Sequence, residues 1–330
     1  MPDVVAVTGG DGFIGSHLVE RLVADGHRVR AMAMYSAFGT RGWLDHLSDD
    51  VAPEVDVVPT DVRDPRAVRE FIGDASVVYH LAALIAIPYS YRAPQSYLDT
   101  NAAGTLNVLE AARDRGTGRV VHTSTSEVYG TAQRVPIDES HPLQAQSPYA
   151  ASKIAADKLA ESYHLSFGVP VVTLRPFNTY GPRQSARAVI PTVATQLAAG
   201  RRLRLGLLTP TRDFTHVTDT VAAFVAVGTA PAGRVVGRVL NAGTGVETSI
   251  ADVVAMVGEI LGIDPDVERE DERMRPDASE VMRLVSDATA LRDATGWTPT
   301  MALRDGLAST VAWFADPQNL ARYRTDRFVL

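Results

Sequence analysis

The sequence predicts an α/β protein in which helices cover both faces of a parallel sheet, with a smaller C-terminal lobe. Three observations predict it. Short β-branched runs alternate with longer helical patterns as far as Leu174. A glycine-rich turn joins the first such run to the first helical pattern. After Pro176 the rhythm changes, with longer loops and short, isolated strand-like runs. Strand–helix alternation at this spacing calls for crossover connections, and these build parallel sheets.

Val4–Val7 reads as the first strand, and Phe13–Ala24 as a helix with apolar Ile14, Leu18, Leu22 and Val23. Further strands are predicted at Val29–Ala33, Val55–Val58, Val77–His80, Arg119–Thr123 and Val169–Leu174. Helical patterns occupy Pro65–Ile72, Gln95–Arg115 and Pro148–Phe167. In the second part the loops FNTYGPRQSAR and LLTPTRDF separate helical patterns at Val189–Ala199, Thr218–Thr229, Ser249–Leu261 and Leu303–Phe314. The division is drawn at residues 1–176 and 177–330, with Val239–Asn241 a candidate to return to the main sheet.

Composition narrows the function classes. The 330 residues contain no cysteine, which excludes disulfides, thiolate metal sites and a cysteine nucleophile. A formal charge of −7 argues against a general nucleic-acid binder. The most apolar window, Val77–Ile87, is too short to span a bilayer and contains Tyr79 and His80. The N-terminus enters a strand with no basic segment and apolar run before it, so the expectation is a cytoplasmic protein without membrane contact. The eight histidines show no clustered ligand spacing, and no metal site is expected.

The turn Thr8-Gly9-Gly10-Asp11-Gly12-Phe13-Ile14-Gly15 has the spacing of a dinucleotide-binding loop. Gly9, Gly12 and Gly15 allow a tight turn, close approach of backbone to a pyrophosphate, and close helix–strand packing. The helix start then offers free N–H groups and the positive end of its dipole. A glycine turn without a ligand is the bland alternative, but the strand before it and the amphipathic helix after it are the context the loop requires. An acidic residue is expected at the end of the second strand to bind the adenosine ribose. The sequence there is Ala33-Met34-Tyr35-Ser36, which has none. Either NAD is held without that contact, or Ser36 and Arg41 accept the extra phosphate of NADP. Asp61 is a candidate for the adenine amine, and Asp64 before Pro65 is the better helix cap.

Tyr149 and Lys153 lie one helical turn apart on one face. Free tyrosine titrates near about 10 and is a poor base at neutral pH. A neighbouring ammonium lowers that value, and the lysine can also hold a nicotinamide ribose. The segment His122–Gly130 follows a hydrophobic strand at the sheet edge where ligands of such folds bind. Its hydroxyls at 124–126 can alternatively serve only local backbone bonds.

These segments together resemble the extended short-chain dehydrogenase/reductase family that modifies nucleotide sugars. The resemblance spans nearly the whole chain. It rests on TGGDGFIG at 8–15, DVRD at 61–64, HLAA at 80–83, STSEVYG at 124–130, SPYAASK at 147–153, RPFNTYGPRQ at 175–184, RDF at 212–214 and NAGTG at 241–245. It implies a Rossmann-type fold and a tightly bound, recycled NAD or NADP, with NAD preferred. The implied cofactor residues are Gly9, Gly12, Phe13, Ile14, Gly15, Ser36, Asp61, Val62, Leu81, Ala82, Ala83, Tyr149 and Lys153. Thr125 would bond the sugar's 4-hydroxyl, with Tyr149 the base and Lys153 its support. Asn178, Val189, Arg212 and Arg275 would bind the nucleotide diphosphate sugar, with Arg273 a weaker candidate. Arg183 has no assignment. Each arginine taken singly is nearly as well explained by a surface ion pair.

Glu127 sharpens the resemblance. Members that only epimerise carbon 4 usually carry a small residue there. The triplet Thr125-Ser126-Glu127 is similar to that of sugar-nucleotide 4,6-dehydratases, and segments 175–191 and 275–281 look closest to the legionaminic acid type. The same triplet occurs in nucleotide-linked uronic acid decarboxylases. The dTDP-glucose dehydratases carry an aspartate at the place of Ser126, so Glu127 or a water would protonate the departing 6-hydroxyl. The resemblance therefore implies a 4,6-dehydratase, with decarboxylase, 4-epimerase and non-catalytic dinucleotide sensor as rivals. It also implies a homodimer through the two long helices, which carry small residues at Ala102, Ala103, Ala151, Ala155 and Ala156.

Overall fold

The β-branched runs of the first half become the strands of one parallel sheet. A computed structural model describes residues 3–274 and 276–324. The sheet strands are β1 (Val4–Thr8), β2 (Arg28–Ala33), β3 (Val55–Pro59), β4 (Val77–His80), β5 (Arg119–Thr123), β6 (Val171–Pro176) and β7 (Val239–Ala242). Their spatial order is β7-β6-β5-β4-β1-β2-β3, and every neighbouring pair is parallel. The order reverses between β1 and β4. In an open α/β sheet this reversal leaves a crevice at the carboxyl ends of those strands.

The period-two pattern decides which face each residue serves. Val5 and Val7 join Leu18, Val19 and Leu22 of α1 (Phe13–Ala24) in one core, while Ala6 between them joins the opposite core. That opposite core is supplied by α2 (Pro65–Ile72), α3 (Gly104–Arg115) and α4 (Pro148–Phe167) through Val68, Phe71, Val108, Leu109 and Ala160. Each of the larger side chains among these, fully buried, contributes roughly 1.5–3 kcal/mol.

A third core lies in the C-terminal lobe. It unites α5 (Val189–Ala198), α7 (Ile250–Leu261) and α8 (Leu303–Ala315) around Val193, Val253, Val257, Leu307 and Phe314. A further helix, α6 (Val217–Thr229), packs instead on the sheet beside α1 through Val221, Phe224 and Val227. Lobe strands are two or three residues long, as at Asn178–Tyr180, Leu203–Leu205 and Thr211–Arg212.

Two expected elements differ. The sixth strand begins at Val171, not Val169, because Gly168 adopts a left-handed conformation and the Val169 N–H closes the end of α4 on the Tyr163 carbonyl. The predicted Gln95–Arg115 helix is interrupted by a π-helical turn at Leu98–Ala103. Asn101 occupies that turn and spends its amide on Leu84 N–H, Leu84 C=O and Ser152 Oγ. No helix among the described residues is long and apolar enough to cross a membrane.

Candidate functional site

The glycine loop fills the crevice with backbone alone. A Cβ on Gly15 would stand 2.0 Å from the Gly9 carbonyl oxygen, and one on Gly9 would stand 2.8 Å from Ala82 N. Gly9 also has φ +67°, which L side chains rarely adopt. Gly12 is the extended N-cap of α1 and provides no side-chain cap. The first-turn N–H groups of α1 thus have no intrahelical partner. Such a cradle fits a pyrophosphate.

Thr8 fastens the loop to the neighbouring strand. Its hydroxyl accepts from Leu81 N and Ala82 N, both at 3.0 Å, and bonds His80 Nδ1 at 2.8 Å. His80 is buried and bonds Thr105 through Nε2, and burial drives its pKa well down, so it is a neutral orienting group. This brings Leu81–Ala83 alongside Gly9, with Phe13 and Ile14 half-buried on α1. Val62 is buried against Gly104, where a Cβ would stand 2.8 Å from it.

The adenosine-side candidates already have partners. Asp61 accepts three bonds from the Arg63 guanidinium, which hold its carboxyl below the ordinary range. Asp64 caps α2 by accepting from Arg66 N and Ala67 N. Ser36 Oγ accepts from Phe38 N, and Arg41 pairs with Asp45 at 2.8 Å.

One face of α4 presents Tyr149, Lys153 and Asp157 at successive turns. Ser147 caps the helix by accepting from Ala150 N, and Pro148 fills its first position. The Tyr149 ring is buried against the edge of Tyr97. Burial pushes the Tyr149 phenol up from its ordinary value; a hydrogen bond with Thr125 pulls it down, and the charge of Glu127 pushes it up again. Thr125, Glu127 and Tyr149 therefore converge, although 22 residues or more separate Tyr149 from the other two in sequence. Thr125 opens the short 3-10 turn Ser126–Tyr129 and accepts from Glu127 N at 3.2 Å, leaving Glu127 half-buried and Ser126 buried.

Lys153 is held at the end of the neighbouring strand. Its Nζ does not hydrogen-bond the phenol but donates to the Thr123 carbonyl at the end of β5, at 2.6 Å. Burial lowers the ammonium to about 8, against the opposing charge of Asp157.

Candidates for the other ligand half are spread over the lobe. Asn178 Oδ1 is buried without a hydrogen-bond partner. A native protein rarely leaves such an atom unpaired, so a ligand group there is a fitting complement. Val189 is the first residue of α5, whose N-cap Ala188 gives no side-chain bond. Arg212 is buried, donates to the Thr211 carbonyl and lies 3.5 Å from Glu280. Arg273 pairs with Glu270, and Arg275 lies outside the described residues. Arg183 is a tie to α1: it donates to Ser16 and pairs with Glu20 at 2.7 Å. Among the described residues no group of three or more His, Asp or Glu side chains is placed to hold a metal ion.

A family model described as GDP-mannose 4,6 dehydratase matches residues 6–310. The chain belongs to that family. It is an NAD(P)-dependent enzyme of the extended short-chain dehydrogenase/reductases, on the sugar-nucleotide dehydratase and epimerase branch. It is 37% identical over 317 residues to the UDP-glucose 4-epimerase of Mycolicibacterium smegmatis, covering 93% of this chain and 97% of the relative. It is 36% identical over 312 residues to the dTDP-glucose 4,6-dehydratase of Streptomyces griseus, covering 93% of each. Among solved structures it superposes on DesIV, the dTDP-glucose 4,6-dehydratase of Streptomyces venezuelae solved with NAD bound. The TM-score is 0.87 at 32% identity, and the match covers 97% of this chain and 99% of that one.

In this family member, pattern reasoning missed the buried network beneath α4. Asp157 accepts from His122 at 3.0 Å, Ser124 at 2.8 Å and Arg175 at 2.8 Å. Arg175 continues to Tyr129, and Tyr129 donates to Asn241 of β7. The signal was present: Asp157 follows Lys153 at the interval by which Lys153 follows Tyr149. Asn101 was hidden for a different reason, because nothing in an alternating helical pattern announces a π turn.

Proposed function

We propose that the chain is a nucleotide-sugar 4,6-dehydratase. The observation that carries this reading is the convergence of Thr125 and Glu127 on Tyr149. A simple dehydrogenase needs the hydroxyl and the phenol but has no use for a carboxylate beside them. Thr125 orients the 4-hydroxyl of the sugar, and Tyr149 accepts its proton. Lys153, one turn away and buried, supplies the positive charge that a phenolate requires. The chemistry a bound nicotinamide supplies is a reversible hydride acceptor, so oxidation at carbon 4 and reduction at carbon 6 leave no net redox change. Glu127 takes the proton on carbon 5, made acidic by the 4-ketone, as the 6-hydroxyl departs. Glu127 or a water gives that hydroxyl its proton, and water is released; carbon 5 regains a proton as carbon 6 is reduced, and the proton taken up by Tyr149 balances it. Positioned acid–base groups of this kind contribute about a hundred- to ten-thousand-fold.

In this reading residues 1–176 hold the cofactor and 177–330 mainly the sugar nucleotide. Asn178 and Arg212 take the diphosphate or sugar, the Val189 backbone meets the base, and Arg275 joins Arg212. Segments 175–191 and 275–281 resemble the legionaminic acid type of these dehydratases, whose sugar is N-acetylglucosamine, and a substrate panel reads out nucleotide and sugar together. Two copies associate through α4 and the segment leading into α3, where Ala103 and Ala151 are exposed and Ala102 and Ala155 half-buried.

The test is a panel of UDP-, GDP-, dTDP- and CDP-sugars with products weighed by mass spectrometry. Loss of water is expected. The epimerase relative at 37% identity favours a second reading, for which mass is unchanged and stereochemistry altered. Loss of carbon dioxide would mark a decarboxylase. In Glu127→Gln, reduction of the bound cofactor by substrate should persist while water loss falls about a hundredfold or more. Full dehydration by that variant would overturn the role of Glu127.

A further inference from the structure

The end of β2 lacks the carboxylate that would grip an adenosine ribose, yet a carboxylate is there. Asp11, in the glycine loop, accepts from Met34 N through Oδ2 at 3.0 Å. Met34 is the residue that follows β2. The loop is laced to the strand at a second point, where Gly10 N donates to the Met32 carbonyl at 3.0 Å. On its other side, Trp43 N donates to the Asp11 carbonyl at 3.1 Å, and a Cβ on Gly42 would stand 2.5 Å from that oxygen. The Asp11 backbone is thus clamped from two directions, and its side chain is delivered to the strand end.

The charges around it are unequal. The cations of this region are already neutralised: Arg41 by Asp45 at 2.8 Å, and Arg63 by Asp61 at 2.6 Å. Asp11 itself has no ion-pair partner among the described residues. A ribose with free 2′- and 3′-hydroxyls gains a charged acceptor there, a strong kind of hydrogen bond. A ribose 2′-phosphate would meet a like charge, while Arg41 and Arg63 already hold carboxylates of their own, which disfavours binding.

From this placement we infer that Asp11 replaces the missing strand-end acid: it binds the adenosine ribose hydroxyls and selects NAD over NADP. The inference rests on the dinucleotide reading of the glycine loop, but not on which sugar the enzyme converts.

The test measures binding, not turnover, so it stands apart from the dehydratase reading. The affinity of the full chain for NAD and for NADP is measured by isothermal titration after bound nucleotide has been removed and identified by chromatography. The wild type is expected to release NAD and to bind NAD about thirtyfold or more tighter than NADP. Asp11→Asn keeps an oxygen to accept from Met34 N but removes the charge. It should retain the wild-type melting temperature and narrow the NAD:NADP ratio about tenfold. A ratio within twofold of wild type in a folded Asp11→Asn would overturn the assignment. Should that variant not fold, the wild type decides: equal or tighter binding of NADP overturns it.

Discussion

The sheet half and the C-terminal lobe are held together by different means. In the sheet, seven strands of four to six residues satisfy one another's backbone groups along parallel ladders. In the lobe, where strands shrink to two or three residues, buried carboxylates take over that task. Asp213 accepts from Thr244 N, the Thr244 hydroxyl, Gly245 N and Ser286 N, and so gathers three separate segments. Asp219, on α6, does the same for Thr300 N, the Thr300 hydroxyl and Met301 N. A ladder spreads its free energy over many weak bonds. A carboxylate staple concentrates it in one side chain, because losing that partner leaves several buried N–H groups unsatisfied at once.

The largest test of this difference is Asp213→Ala. It should cost about 3–5 kcal/mol, because several buried donors lose a shared acceptor at about 1–3 kcal/mol each. Chemical denaturation measures it, and a loss below 1 kcal/mol would show that the lobe does not depend on its staple. In the sheet half the counterpart acts through backbone shape. Gly15→Ala sets a Cβ into the Gly9 carbonyl, a clash of about 3 kcal/mol. Dinucleotide affinity should fall about a hundredfold in calorimetry; unchanged affinity would remove the loop from the cofactor site.

Asp157 is where the comparison blurs, since it is a carboxylate staple within the sheet half. Burial pushes its carboxyl up, but His122, Arg175 and Ser124 more than offset this and hold it at about 2. Its folded value lies below its ordinary 3.8, so its stabilisation is complete above about pH 4 and disappears as pH falls through 2. The difference of nearly two units is worth about 2 kcal/mol. Stability measured between pH 5 and pH 2 should therefore drop less steeply in Asp157→Asn than in wild type. Parallel acid profiles would assign the effect to other carboxylates. The smallest effect concerns Ser249, which forms a capping box with Asp252 at the start of α7. Ser249→Ala should lower stability by about 1 kcal/mol, and a thermal melt resolves it.

The same contrast explains what could be read in the sequence. Residues that serve a repeating pattern were legible: Val5 and Val7 by alternation, Leu18 and Leu22 by helical spacing, Gly9, Gly12 and Gly15 by their place between strand and helix. Tyr149 and Lys153 were legible as a turn-spaced pair, while their meeting with Thr125 and Glu127 required the resemblance, since no local pattern joins residue 127 to residue 149. Asp213 stood in the RDF segment beside the noticed Arg212 and was passed over, because its partners, Thr244 and Ser286, are distant in sequence and belong to no periodic element. Asp11 was illegible for a related reason: a ribose-binding acid is expected at the end of β2, whereas this carboxylate arrives from the turn before that strand. Hydrogen bonds between remote single residues leave no periodic trace.

The position of β7 has a consequence for how the chain is made. β7 pairs with β6, but residues 177–238 lie between them. At about 5–20 residues per second, a ribosome leaves the outer edge of β6 unpaired for roughly 3–12 s. That edge belongs to a strand buried along its whole length in the finished molecule, and exposed edges of this kind invite pairing with other chains. Synthesis rate through this interval, and chaperone supply during it, should therefore govern the yield of folded enzyme more than events at either terminus.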